Sequence, residues 1–297
     1  MGAYEEGLEL WRRVAEQDEG LELNPACASQ ALLHGRRTPR ATVLLHGITN
    51  CPHQWVRMAA ELHAGGRNVL VPRLPRHGLR DRLTRDPARQ TAAELAATAT
   101  ATVHAAARLG ERVTVVGLSL GGVLAAWLAE RSAEVDAAVL VAPLLGIRHV
   151  PRVALPWIGS LATRGPNLFV WWDRAAKSEL RPEHGYPRVA TRAFGALLRL
   201  AGEVEAGARR PPQARVLVVV TNAADPAVDN RATQRLAARW RAQGARVAEY
   251  VFPESAGLPH DLVDPANPEQ AVERVYPVVL DLVSAAEAGT GAGTPTR

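Results

Sequence analysis

The sequence predicts an α/β protein in which a mostly parallel sheet carries helices on both faces. Short apolar, β-branched runs alternate with helical segments along most of the chain, which signals a parallel sheet covered on both sides. The alternation stops between residues 145 and 211 and then resumes, which indicates an insertion. With 47% apolar and 22% charged residues among 297, the chain can bury a core of this size.

The first half of the sheet can be followed along the chain. Residues 41–47 are an apolar run that ends at a glycine, as expected of a buried strand. Residues 53–66 have helical spacing and end at two glycines, and the strand predicted within 67–78 is stopped by prolines. The alanine-rich stretch 91–110 favours a helix, and the β-branched run at 111–117 favours the next strand.

The second half contains the insertion. We expect a helix at 119–131 and a strand at 135–143. No clean strand is found between 145 and 211, where prolines and glycines punctuate tryptophan-containing segments, so this region is interpreted as mostly helical. The alternation of strand and helix then resumes at 214–221, 229–243, 245–252 and 268–285.

These patterns divide the chain into four parts. An amphipathic segment at 5–19 predicts a short helix near the N-terminus, and the small polar residues at the other end predict a disordered tail. The expected parts are an N-terminal helical extension at 1–30, an α/β core at 31–144 and 212–286, a helical cap at 145–211 and the tail at 287–297.

Charge and hydropathy exclude several classes of partner. The net charge is +5, but the basic residues are spread along the chain, mostly beside acidic ones, without the basic block that nucleic-acid binding favours. No apolar run approaches the ~20 residues of an integral membrane segment. The acidic start lacks the features of a secretory signal, so we expect a cytoplasmic location. The oligomeric state is not predicted.

The two cysteines, Cys27 and Cys51, do not have the spacing of a metal site. In a cytosolic protein the expected state is two reduced, partly buried thiols. A disulfide between them remains an alternative if both flank neighbouring strands.

The motif GLSLGG at 117–122 is the strongest sign of chemistry. Its G-x-S-x-G pattern lies where a predicted strand meets a predicted helix, which is the context of a nucleophile elbow. Gly117 and Gly121 lack side chains at the positions where strand and helix pass closely. We therefore predict Ser119 as a nucleophile above the sheet, near a helix N-terminus that favours negative charge. The alternative is a glycine-rich turn with an ordinary serine.

A second motif, LLHGIT at 44–49, ends an earlier strand. Acyl-transfer enzymes bind an oxyanion with backbone N–H groups, one of which belongs to the residue after the nucleophile and another to a loop like this one. The candidate donors are Leu120 and, beside Gly47, Ile48. His46 is interpreted as a structural residue of the loop.

The remaining catalytic groups are sought after the later strands. In TNAADPAVDN (221–230) two carboxylates compete, and we favour Asp225 because Asp229 precedes a helix and has the place of an N-cap. Of nine histidines only His260 follows Asp225, and the order Ser, Asp, His then leaves it as the only base. The later Asp261 and Asp264 are interpreted as solvated or capping residues.

The resemblance is carried by four motifs taken in order: LLHGIT, GLSLGG, the ADPAVD loop and the LPHD loop around His260. Together they resemble the α/β-hydrolase superfamily, with most likeness to its monoglyceride-lipase and carboxylesterase-like members, over roughly residues 30–285. The resemblance implies an α/β-hydrolase fold with a helical cap and no metal or organic cofactor. It also implies a nucleophile, an acid, a base and two oxyanion donors, in the order Ser119, Asp225, His260, Ile48 and Leu120.

The chain departs from the family after the third main strand. Many members read Asp-x-x-Gly-x-Gly there, whereas this chain reads RLPRHG, with Arg73 and Arg76 at the acidic and first glycine positions. The triad is unaffected, but the substrate preference of close relatives does not carry over.

The resemblance implies serine-dependent hydrolysis of a small-molecule ester with an apolar acyl group. Aromatic residues of the insertion either line an acyl pocket or pack the cap onto the sheet; these are Trp157, Phe169, Trp171 and Trp172. The same triad can act on amides, peptides, thioesters or lactones, and a non-catalytic binding protein on the same fold is a further alternative.

Overall fold

A seven-stranded sheet forms the centre of the computed structural model, which describes residues 2–171 and 182–289. Its strands are β1 (Gln30–Leu32), β2 (Thr38–Leu45), β3 (Asn68–Val71), β4 (Gly110–Leu118), β5 (Ala137–Val141), β8 (Val216–Asn222) and β9 (Arg246–Phe252). The other two strands, β6 (Phe169–Trp171) and β7 (Arg188–Ala190), pair with each other in a separate antiparallel ribbon.

The sheet has the order β1-β3-β2-β4-β5-β8-β9. Only β1 runs antiparallel to its neighbour, and the other neighbouring strands are parallel. This arrangement confirms the predicted mostly parallel sheet. Because parallel strands end at the same edge, the loops after β2, β4, β8 and β9 come together at one side of the molecule.

Helices cover both faces of the sheet. They are α1 (Ala3–Ala15), α2 (Val56–Ala64), α3 (Ala92–Leu109), α4 (Leu120–Arg131), α5 (Leu155–Arg164), α6 (Thr191–Gly207), α7 (Asn230–Ala242) and α8 (Val272–Ala288). On one face, a buried cluster joins α3 and α4 to strand side chains such as Val43 and Val115. On the other face, a second cluster joins α2 and α8 to the next residues along the same strands, Leu44 and Val116. The strands therefore bury both of their faces, which accounts for their continuous apolar runs.

The described part of the insertion contains α5 and α6 together with the ribbon of β6 and β7. These helices agree with the predicted helical character, whereas the ribbon was not predicted. Both of its strands are only three residues long, as is β1, and so short a segment carries no readable alternation.

The last helix corrects a predicted boundary. Helix α8 continues to Ala288, beyond the expected end at 285 and into the expected tail at 287–297. The last turn of the helix is anchored by Glu287, which is buried and forms ion pairs with Arg67 at 2.7 Å and with Arg40 at 3.1 Å. The tail positions 290–297 lie outside the described residues.

The N-terminal extension packs onto the core and is tied to it by a disulfide. Cys27 and Cys51 are bonded, with Cα atoms 5.3 Å apart, so the expectation of two reduced thiols is wrong. The extension is held against the core at this point, because Asn24 donates its N–H to the carbonyl of Gly78 in the loop after β3 and Cys27 packs against Gly78. A disulfide is uncommon in a reducing cytoplasm and so opposes the expected cytoplasmic location.

Candidate active site

Ser119 lies between the end of β4 and the start of α4. Its backbone has φ 57° and ψ −110°, a strained conformation for a residue other than glycine. Hydrogen bonds hold the turn: the Ser119 N–H donates to the carbonyl of Val141 at 3.0 Å, and the Ser119 carbonyl accepts from Val123 at 3.0 Å. The predicted strand–turn–helix context of this serine is therefore observed.

The flanking glycines are required by contact with backbone atoms. A Cβ placed on Gly117 would lie 2.0 Å from the carbonyl oxygen of Gly121. A Cβ on Gly121 would lie 1.9 Å from the carbonyl oxygen of Leu45. Since backbone cannot yield as a flexible side chain can, any larger residue at either position would force the strand and helix apart.

Ser119, Asp225 and His260 come together at the carboxyl edge of the sheet. They follow β4, β8 and β9, and they form one hydrogen-bonded chain. His260 Nδ1 lies 2.8 Å from Asp225 Oδ2, and His260 Nε2 lies 3.0 Å from Ser119 Oγ. With the ring proton on Nδ1, the imidazole donates to the carboxylate and accepts from the hydroxyl.

The competing carboxylate, Asp229, has a different contact. It lies at the N-cap of α7 and accepts the N–H of Arg231 at 3.0 Å. Asp225 is 1% exposed, and its second oxygen accepts the N–H groups of Ala227 at 2.8 Å and Val228 at 3.1 Å. Those two bonds fix the carboxylate so that its free oxygen faces the imidazole.

The pair of Asp225 and His260 favours the charged form of each partner. Burial disfavours ionisation of Asp225, but hydrogen bonds from His260 and from two backbone amides outweigh it and lower the pKa of the carboxyl. Burial also opposes a charge on His260, yet the bond to Asp225 outweighs it and raises the pKa of the imidazole. The carboxylate is thus placed to stabilise an imidazolium.

One candidate oxyanion donor, Leu120, directly follows Ser119. The other, Ile48, lies in the loop after β2, the strand that pairs with β4. The Leu120 amide opens α4, where the first N–H groups have no partner within the helix. Ile48 belongs to the oxyanion loop, defined here as residues 46–51. Its carbonyl accepts from His77 Nε2 at 2.5 Å, which fixes the peptide that follows it.

His46 has the structural role that the sequence suggested. It is fully buried, and its Nε2 accepts the N–H of Leu74 at 3.0 Å. Burial and the nearby His77 lower its pKa well below the ordinary value. A neutral imidazole occupied in this way joins two loops and is not available as the base.

A polar network beside the triad was missed by the sequence reasoning. Asp264 is fully buried and accepts from His184 Nε2 at 2.9 Å and from Asn50 Nδ2 at 3.1 Å. Asp261 accepts from Asn50 as well, at 3.1 Å, and from Gln54 at 2.8 Å. The interpretation as solvated residues is wrong, because side chains from distant segments bond both carboxylates. The capping alternative agrees with the backbone N–H groups that each aspartate accepts. No local pattern signals such pairs.

Arg73 and Arg76 differ in their roles. The Arg73 side chain is buried and bonds Asp18 at 2.7 Å, so it docks the N-terminal extension and does not face a substrate. Arg76 has φ 68° at the position where many relatives have glycine, and it is held by Asp86 and Glu94 at 3.5 and 3.4 Å. The departure from the family motif therefore serves the packing of this loop.

Among the aromatic candidates, Phe169 and Trp171 lie on β6, where the guanidinium of Arg188 stacks over the Phe169 ring. Trp157 is 79% exposed on α5, and Trp172 lies outside the described residues. A cavity of about 600 Å³ lies between α5 and α6, lined by residues that include Leu145, Leu155 and Leu198 but no member of the triad.

The described residues contain neither a cluster of metal ligands nor a membrane-spanning helix. Within residues 2–171 and 182–289, no group of three histidine, cysteine or acidic side chains could hold a metal ion. No helix there is long and apolar enough to cross a bilayer.

Comparison with known proteins agrees with this architecture. The structure resembles one of the metagenome-derived lipolytic enzymes LipS and LipT, with TM-score 0.67, 18% identity and coverage of 88% of this chain and 99% of that one. For the monoacylglycerol lipase of Paleococcus ferrophilus the values are 0.66, 17%, 90% and 100%.

A soluble variant of the monoglyceride lipase of Saccharomyces cerevisiae gives TM-score 0.66 at 12% identity, over 89% of this chain and 92% of that one. A search of curated proteins finds no significant match. Residues 42–275 match the α/β hydrolase family, and this span exceeds half of the chain. The protein therefore belongs to the α/β hydrolase family and has its fold.

Proposed function

We propose that this protein is a serine hydrolase that cleaves carboxylic esters through an acyl-enzyme. In the proposal Ser119 is the nucleophile, His260 the general base and acid, and Asp225 the residue that orients the imidazole. The backbone N–H groups of Ile48 and Leu120 bind the oxyanion. The reaction uses no metal or organic cofactor.

Acylation begins when Ser119 Oγ attacks the ester carbonyl carbon while His260 Nε2 takes the hydroxyl proton. The carbonyl electron pair moves to the oxygen, whose charge is stabilised by the two backbone donors, each worth on the order of 3 kcal/mol. When the tetrahedral intermediate collapses, the carbon–oxygen bond to the alcohol breaks and His260 returns the proton to the leaving oxygen.

Deacylation repeats the sequence with water. His260 accepts a proton from the water as its oxygen bonds to the acyl carbon, and the Ser119 ester bond then breaks with return of that proton to Oγ. Asp225 keeps its charge throughout and stabilises the imidazolium in both halves of the reaction.

One observation carries the proposal: the continuous hydrogen-bonded chain from Ser119 Oγ through His260 to Asp225, with links of 3.0 and 2.8 Å. A buried serine and a buried carboxylate joined by a partly exposed histidine, at the ends of three parallel strands, is the arrangement that activates a serine. The lipases among the similar structures support an ester with an apolar acyl group as the substrate class.

The proposal extends to the rest of the chain. The insertion at 145–211 is taken as a cap over the site, between core segments 31–144 and 212–286. The cytoplasmic location belongs to the proposal too, and it is the part that the disulfide opposes.

The test is hydrolysis of p-nitrophenyl esters from acetate to palmitate by the wild type and by Ser119→Ala. We expect a loss in kcat of about a million-fold in the variant, and the optimum chain length measures the acyl pocket. A fluorophosphonate probe should label the wild type at Ser119, as located by peptide mass spectrometry.

The outcomes separate the alternatives. Labelling without ester turnover would replace esters by amides, peptides, thioesters or lactones as substrates. Absence of both labelling and turnover in a folded wild type would refute the serine-hydrolase proposal and favour a binding protein.

A further inference from the structure

Gln54 lies between the oxyanion loop and the loop that carries the candidate base. It belongs to the short helical turn Pro52–Trp55, which follows the oxyanion loop, and it is 1% exposed. Both ends of its amide are engaged. The carbonyl Oε1 accepts the N–H of Gly47 at 2.9 Å, and Nε2 donates to Asp261 Oδ2 at 2.8 Å.

The first bond acts on the oxyanion loop. Gln54 accepts the N–H of Gly47, so the amide of Ile48, the candidate donor, is the first one after Gly47 that this side chain leaves free. The carbonyl of Gly47 accepts the N–H of Asn50 at 3.2 Å, so the loop is a closed turn. The side chain of Gln54 thereby sets where this turn, and the Ile48 N–H within it, lies.

The second bond acts on the histidine loop, defined here as residues 258–264. Asp261 directly follows His260, and its other oxygen accepts the N–H groups of Val263 at 3.3 Å and Asp264 at 3.2 Å. The carboxylate is thus part of the backbone turn that presents the imidazole. A side chain that bonds this carboxylate, as Gln54 does, therefore also restrains the position of His260.

The two loops meet through no covalent link near the site, since Gln54 and Asp261 are separated by 207 positions in the chain. Other contacts between them run through Asn50, which bonds both Asp261 and Asp264 at 3.1 Å. Gln54 differs from Asn50 because its single amide group bonds the Gly47 N–H, next to Ile48, and also the Asp261 carboxylate, next to His260.

We propose that Gln54 is a positioning residue that fixes the distance between the oxyanion donor Ile48 and the base His260. The inference rests on the proposed serine mechanism. A reaction that needs the hydroxyl, the imidazole and the donors at once is sensitive to misplacement by a fraction of an ångström. Loss of Gln54 should therefore reduce the rate of attack by Ser119 while leaving binding of the substrate largely unchanged.

The experiment measures the second-order rate of Ser119 labelling by a fluorophosphonate, together with kcat and KM on p-nitrophenyl butyrate. Labelling needs the triad and the oxyanion hole but no particular ester. For Gln54→Leu, which keeps the volume and loses both bonds, we expect labelling and kcat to fall about 10- to 100-fold with KM changed less than about threefold.

The matched control is Asn68→Leu. Asn68 is also fully buried and makes three hydrogen bonds through its amide, but it lies at the opposite end of the strands. We expect this variant to lower Tm and leave the labelling rate per folded molecule unchanged. The comparison separates a positioning effect from the general cost of removing a buried amide.

A rescue variant addresses direction and folding. Gln54→Glu keeps the acceptor for Gly47 but faces Asp261 with a second carboxylate, so its labelling rate should fall. In Gln54→Glu/Asp261→Asn the donor and acceptor exchange places, while Asn50 loses its acceptor on Asp261 and keeps the one on Asp264. We therefore expect a partial recovery of at least about threefold relative to Gln54→Glu.

The results distinguish the failure of each claim. A folded wild type that neither labels nor hydrolyses the ester refutes the proposed function. A wild type that labels, with folded Gln54 variants that label at the same rate or an exchanged pair that recovers nothing, refutes the role of Gln54.

Discussion

Replacing Asp225 by asparagine tests the assignment of the acid, because it changes one atom of the hydrogen-bonded chain. In the protein, Oδ1 accepts two backbone N–H groups, and Oδ2 accepts the N–H of His260 Nδ1. In Asp225→Asn the amide oxygen must stay on the side of the two N–H groups. The NH₂ group then faces Nδ1 and forces the ring proton onto Nε2.

The expected effect is large because that tautomer presents an N–H, not a lone pair, to Ser119 Oγ. An imidazole in the wrong tautomer cannot accept the hydroxyl proton, and asparagine in the equivalent role of a serine triad costs about 10⁴ in kcat. At about 1.4 kcal/mol per tenfold change, this is about 5.5 kcal/mol of lost transition-state stabilisation.

The assay is kcat and kcat/KM on p-nitrophenyl butyrate, with Tm measured in parallel. Asp229→Asn is the matched control, because Asp229 is the competing carboxylate four residues away. It caps α7 and does not contact His260, and asparagine is as good an N-cap as aspartate. We expect that control to retain activity within about threefold and to unfold at nearly the same temperature.

The reasoning would be refuted by a folded Asp225→Asn variant that loses less than about tenfold in kcat. It would equally be refuted if Asp229→Asn were the variant that lost activity. Either result would mean that the contact between Asp225 and His260 does not set the tautomer during turnover.

Four other predictions concern the imidazole, the disulfide and the turn at Ser119. Since the hydrogen bond to Asp225 raises the pKa of His260, kcat/KM should rise with pH through an apparent pKa above 6.5, and a pH–rate profile with a lower value would contradict this. The same shift stabilises the fold below pH 6.5, and this contribution is lost as pH rises through the folded pKa. The bond between Cys27 and Cys51 spans 24 positions and should contribute about 3.5 kcal/mol, so reduction should lower Tm; two thiols titrated in the unreduced, denatured protein would disprove the pairing. Gly121→Ala should yield little folded protein, because its Cβ would lie 1.9 Å from a backbone oxygen of β2, and a soluble variant of wild-type Tm would disprove the steric argument.

Much of the fold could be predicted because it is encoded locally. Apolar runs indicate strands buried on both faces, and apolar residues three or four positions apart indicate the helices between them. The glycines around Ser119 could be interpreted because strand and helix pass so closely in this turn that neither position has room for a side chain. The three-residue strands β1, β6 and β7 escaped prediction because they are too short to show a period.

The candidate site was predicted unevenly, for a related reason. Ser119 has a motif, and His260 is identified by its order in the chain, whereas Asp225 was favoured over Asp229 only because Asp229 has the place of an N-cap. The contact of Asp225 with His260 joins residues 35 positions apart and depends on how β8 and β9 are paired.

The sequence by itself thus determined the layered α/β architecture, the strained turn at Ser119 and the order of the candidate triad, since each follows from periodicity, glycine spacing or chain order. Only the tertiary structure decided that Asp225 faces His260, that Cys27 bonds Cys51 and that Gln54 joins the loop after β2 to the loop that carries His260. Burial and hydrogen bonding of these side chains depend on partners brought close by the sheet, and no local stretch of sequence contains both members of such a pair.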